Sequence, residues 1–157
     1  MSWNIEIALV QIAESAPLRD IVPDVFRATG RVVGFEDATS VTRDTDLCAS
    51  WVKGWGVVID INCRLSAIPY LKETSAKGAT HVARLSGFPL VVQFDNGKQV
   101  EQHEGIAAIL GGLGLNKRKK GAPRDGESAA IEWLKQRTGV QFTDDFWGLP
   151  YQVFVLG

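Results

Sequence analysis

The chain offers few starting points for chemistry: two histidines, two cysteines and a handful of acidic pairs in 157 residues. His103 follows Glu101 by two positions and precedes Glu104. A general acid–base pair needs a carboxylate within hydrogen-bond reach of the imidazole, so His103 and Glu101 qualify only where the strand geometry brings them together. His81 lies in the strand-like THVAR. Both histidines read as surface or hydrogen-bonded structural residues. Asp44-Thr45-Asp46 supplies two hard oxygen ligands, but no third follows at matching spacing. No cysteine pair has zinc spacing and HExxH is missing, so no metal is expected. There is no GxSxG elbow, and neither Cys48 nor Cys63 has a histidine near it in sequence. Gly111-Gly112-Leu113-Gly114 lacks the glycine–lysine–hydroxyl order of a phosphate loop and follows a helix pattern, where such a loop would follow a strand. No catalytic residue and no cofactor are predicted.

Binding features are better represented. Lys117-Arg118-Lys119-Lys120 concentrates positive charge that could meet phosphates or an acidic protein face. It has no interleaved aromatic for base stacking, which argues against single-strand binding. Among five tryptophans, Trp3, Trp55 and Trp133 read as core, and Trp51 falls on a mixed strand face. Trp147 lies in FWGLPY, beside Asp144 and Asp145. An exposed tryptophan buries much area at small entropy cost when it binds.

Composition bounds the class. A hydrophobic share of 45% with 22% charged residues is that of an ordinary soluble globular chain, and the length suits one domain spanning 1–157. The net charge of -1 gives no global attraction to nucleic acid or anionic membrane. No apolar run approaches the roughly 20 residues of a membrane helix. The first residues carry Glu6 and no basic start, unlike a signal peptide. Two cysteines are too few for a disulfide scaffold, and both read as small buried residues of a cytoplasmic protein.

These candidates must be held by strands and short helices. Residues 3–11 alternate as a strand. Pro17 opens a helical pattern of Leu18, Ile21, Val22, Val25 and Phe26, interrupted at Pro23 and ending near Gly30. A short strand is expected at 31–35 and an exposed loop over 36–46. Lys53-Gly54 as a two-residue turn pairs Val52 with Trp55, Ser50 with Val57 and Cys48 with Ile59, which gathers the apolar residues on one face. The spacing predicts a short helix over 66–78. For the second hairpin, a three-residue turn Asp95-Asn96-Gly97 pairs Phe94 with Lys98 and Val92 with Val100. It keeps Leu90, Val92, Phe94 and Val100 together. A helix begins near Glu104, an exposed loop spans 116–126, a second helix covers 127–138 with Gly139 as its cap, and 151–156 closes the chain as a strand. The expected fold is α+β: an antiparallel meander of about five to six strands with short helices packed mainly on one face.

KGWGVVIDI at 53–61, FPLVVQFDNGKQVEQ at 88–102 and WLKQRTGVQF at 133–142 resemble segments of small bacterial proteins of unknown function, some of them similar to immunity proteins encoded beside secreted toxins. The resemblance implies a non-enzymatic protein that neutralises a cognate toxin by binding and occluding its active site. It carries over no functional residue. The residues themselves point to loops as contacts: Glu36, Asp37, Asp44, Asp46, Asp144, Asp145 and Trp147, or the run Lys117, Arg118, Lys119 and Lys120. Two alternatives stand beside this reading. One is a small-molecule module or enzyme with a pocket near His81 or His103. The other is nucleic-acid binding through 117–120.

Overall fold

The computed structural model describes residues 4–13, 15–40, 46–115, 121–142 and 144–157, with Asp46 described by its backbone alone. Eight antiparallel strands form one sheet: β1 (Ile5–Val10), β2 (Phe26–Val33), β3 (Asp46–Val52), β4 (Trp55–Asp60), β5 (Thr80–Leu85), β6 (Leu90–Asp95), β7 (Lys98–Glu104) and β8 (Tyr151–Leu156). Their order across the sheet is β2-β8-β3-β4-β1-β5-β6-β7. The fold is α+β, but the sheet has eight strands instead of five to six. It is not a simple meander, because β1 inserts between β4 and β5 and β8 inserts between β2 and β3.

Helices pack on both faces, not mainly on one. Alternate residues of the central strands point opposite ways. Ile5, Ile7, Leu9, Cys48, Val57, Ile59 and Ala83 join one core beneath α3 (Ile106–Gly112) and α4 (Gly126–Thr138), with Phe35 and Ala38 of α1 (Phe35–Ala38). Ala8, Val10, Leu47, Ala49, Val58, Val82 and Val92 join a second core. It is covered by a 3-10 turn at Leu18–Ile21 and by Leu71 of α2 (Ile68–Ser75). Burial on both sides explains why β1, near the centre, is buried at every position.

The first hairpin has the register its turn predicts, with Val52 opposite Trp55 and Cys48 opposite Ile59. Lys53 and Gly54 both have positive φ, as a two-residue turn of this hand requires. The second hairpin differs from expectation. Asn96 (φ 49°) and Gly97 (φ 80°) form a two-residue turn, and Asp95 opposes Lys98. The offset is absorbed by a bulge: Phe94 faces Gln99 and Gln93 faces Glu101, so Val100 has no partner and is 59% exposed. The stretch 18–30 is helical only over Leu18–Ile21. Beyond Pro23 the chain becomes edge strand β2, paired to β8 through an irregularity between Ala28 and Val32. The supposed loop over 36–46 begins within α1, which buries Phe35 and Ala38.

The C-terminal helix is the best specified locally. Asp125 caps it by accepting a bond from Ser128 N at 2.7 Å, and Ala129, Ala130, Trp133 and Leu134 form its buried stripe. Gly139 closes it in the left-handed conformation (φ 78°), its N–H bonding the Lys135 carbonyl at 2.8 Å. Gly139→Ala is expected to cost about 1 kcal/mol, read as a lower urea midpoint at unchanged slope. An unchanged midpoint would show that the cap does not restrain the helix end.

Candidate partner-binding cleft

Glu36 and Asp37 on α1 and Trp147 on the loop before β8 lie far apart in sequence. In space they line one surface cleft of about 280 Å³, together with Gly34 and Phe35. An aromatic cluster holds the two walls together. Phe35 meets Trp147 at 5.6 Å between ring centroids and Phe142 at 5.7 Å, while Phe142 meets Phe146 edge-on at 5.5 Å. Tyr151 Oη donates to the Phe146 carbonyl at 2.9 Å, fixing the loop from the adjacent strand. Trp147 itself is 60% exposed. Glu36 and Asp37 are exposed, and among the described residues their carboxylates have no ion-pair partner. The cleft therefore joins two exposed carboxylates to an open indole.

The other anticipated contacts divide. Asp144 is exposed on the same loop. Asp145 is occupied, because its carboxylate accepts from Gln141 N at 2.7 Å and pairs with Lys53 Nζ at 3.0 Å. The Gln141 N–H first, then Lys53, holds its pKa below the ordinary value. Asp46 opens β3 opposite Val155. Its side chain, Asp44 and the run Lys117, Arg118, Lys119 and Lys120 lie outside the described residues, as does Trp3.

The histidines occupy a different place, His81 under α4 and His103 against Gly112 of α3. His103 Nε2 lies 2.8 Å from Glu101 Oε2, so the i, i+2 spacing on β7 does bring them together. That carboxylate is already taken by Arg137 of α4, which bonds Oε1 at 2.9 Å and Oε2 at 2.8 Å. Arg137 first, then His103, holds the Glu101 pKa down to about 2. Glu101 thus clamps α4 to edge strand β7. Across the sheet His81 faces Gln93, and Gln93 faces Glu101. The His81 ring is 5.5 Å from Trp55 and 5.7 Å from Trp133. Burial, then the Arg137 charge, pushes its pKa down to about 4. It is a neutral core histidine, not a surface one, at neutral pH. Neither histidine lines the cleft at Glu36, the one at Arg31 or the one at Arg84.

Sequence reasoning missed a row of charges in the sheet's centre. Asp60 faces Glu6, and Glu6 faces Arg84. Both carboxylates are fully buried. Glu6 accepts from Ser66 N (2.8 Å), Ser66 Oγ (2.6 Å) and Arg84 Nε (3.0 Å). Asp60 accepts from Asn62 N (2.9 Å), Arg64 N (2.8 Å), Arg64 Nε (2.9 Å) and Arg64 Nη2 (2.9 Å). The available signal was a charged residue in each of three largely apolar strands.

Fold and cleft together define an α+β protein of one antiparallel sheet with an acidic, tryptophan-edged cleft on its surface. No family model, no curated protein and no solved structure matches the chain. Among the described residues, no helix is long and apolar enough to cross a membrane, and no three His, Cys, Asp or Glu side chains gather as a metal site.

Proposed function

We propose that this is a non-enzymatic binding protein that docks a basic protein surface on the cleft between α1 and the Trp147 loop. The bacterial toxin implied by the sequence resemblance is the partner we favour, with its active site occluded in the complex. The convergence of Glu36, Asp37 and Trp147 carries the reading. Exposed carboxylates at a rim speed encounter with a positive surface and reject a negative one. A tryptophan packed on Phe35 is already ordered, so less freedom is lost when a partner covers it.

The test is co-expression and pull-down with the product of the neighbouring gene, followed by variants. Trp147→Ala is expected to weaken the complex roughly 30-fold, about 2 kcal/mol, with a smaller fall in stability from the lost Phe35 contact, because the ring is 60% exposed. Glu36→Lys with Asp37→Lys should mainly slow association and flatten its salt dependence. A complex that forms equally well with Trp147→Ala, or no complex at all, would sink the proposal.

A further inference from the structure

The buried charge row ends at a second cleft, which Arg84 lines. Its volume is about 410 Å³, and Asn4, Asn62, Cys63, Arg84, Ser86 and Phe88 are among the residues around it. Arg84 turns Nε and Nη2 toward Glu6 and Ser66. Its guanidinium also reaches the Cys63 thiol, and its side chain is 30% exposed. The Asn62 side chain is exposed, and among the described residues its amide has no partner. Phe88 stands at the rim, 69% exposed.

The floor of this cleft is held stiffly. Asp60 takes the N–H groups of Asn62 and Arg64, on either side of Cys63. Cys63 is thereby kept at φ 52°, a conformation that L residues other than Asn and Asp seldom adopt. Strained residues that their surroundings over-determine gather at ligand clamps. Burial, then Glu6, pushes the Cys63 thiol up to about 11, so it stays protonated and weakly nucleophilic. The geometry favours holding a ligand over reacting with it.

We propose that this cleft binds a small planar aromatic molecule bearing a carbonyl or carboxylate oxygen, stacked on Phe88 with the oxygen toward the exposed edge of the Arg84 guanidinium and the Asn62 amide. The charges decide the class. Glu6 and Asp60 are matched by Arg84 and Arg64, so the wall is neutral overall and does not call for a polyanion. The exposed edge of the Arg84 guanidinium and the Asn62 amide remain, and N–H donors of this kind seek a single oxygen acceptor.

The experiment is a chemical-shift titration of the ¹⁵N-labelled full chain with benzoate, benzamide and uridine, each carried to millimolar concentration. Saturable shifts should appear at the Asn4 and Asn62 side-chain amides and in the backbone of 61–63 and 86–88. Phe88→Ala, at an exposed position that the cores do not use, should weaken binding about tenfold. Binding of benzoate alone assigns the site to carboxylates. Binding of the neutral probes assigns it to carbonyls, and either supports the proposal. No saturable shift at these residues with any probe, or shifts indifferent to Phe88→Ala, would overturn it.

Discussion

Arg84→Met is expected to destabilise the fold by about 3–5 kcal/mol, among the largest losses a single substitution could produce here. The cause lies with the residue left behind. Glu6 is fully buried in β1, next to Asp60 on one side and Arg84 on the other. Removing the guanidinium leaves Glu6 with only the Ser66 N–H and hydroxyl as partners, and a charge in low dielectric beside a second carboxylate. Glu6→Gln combined with Arg84→Met should recover most of the loss. The amide removes the uncompensated charge and keeps an acceptor for Ser66. The cycle of single and double variants in urea isolates the coupling. A single-variant loss below about 1 kcal/mol would mean the pair behaves like a solvated surface bridge, despite its burial.

Why that row escaped sequence reasoning is instructive. Glu6, Asp60 and Arg84 each interrupt an apolar strand, and each alone suggests only a mixed face. Their meeting depends on β1 inserting between β4 and β5, a long-range choice that local patterning does not encode. The first hairpin shows the opposite case. Lys53-Gly54 fixes the turn, parity fixes the face, and the register follows from residues within fifteen positions of each other. For the second hairpin the same parity argument misled. It assumed strict alternation, whereas the chain keeps the favoured two-residue Asn96-Gly97 turn and places the mismatch in a bulge at exposed Val100. Strand β2 was hidden for a related reason. An edge strand exposed at most positions has no alternation to read, and its neighbours Leu18, Ile21 and Val22 carry helical spacing into it. At the cleft, the exposure of Glu36, Asp37 and Trp147 was legible residue by residue. Their convergence was not, because it rests on Phe35, whose sequence neighbours suggest a short strand but which opens α1 and packs against Trp147.

Acid should weaken the fold in two consecutive steps, and His81 should set the first. Its folded pKa lies near 4, below the ordinary 6.5, because burial between Trp55 and Trp133 opposes the charged ring and Arg137 repels it. Between these values the unfolded chain takes up a proton that the folded chain refuses. The contribution is therefore complete above pH 6.5 and is lost as pH falls to about 4, by about 3 kcal/mol. Glu101 follows. Held near 2 by Arg137 and His103, it stabilises the fold fully above 4.5 and loses that contribution as pH falls toward 2, freeing α4 from β7. Its loss should be the smaller, since the clamp stands partly in solvent. The charged groups acting on His81 are Arg137 on α4 and Glu101 on β7, while Gln93 on β6 is neutral. His81→Phe keeps an aromatic ring against both tryptophans but cannot take a proton. Its urea stability measured from pH 4 to 6.5 should lose most of the slope seen for the wild type, with the His81 ring resonance of the wild type titrating below pH 5 by NMR. A His81→Phe protein with the full wild-type slope would move the titrating group elsewhere and refute the assignment.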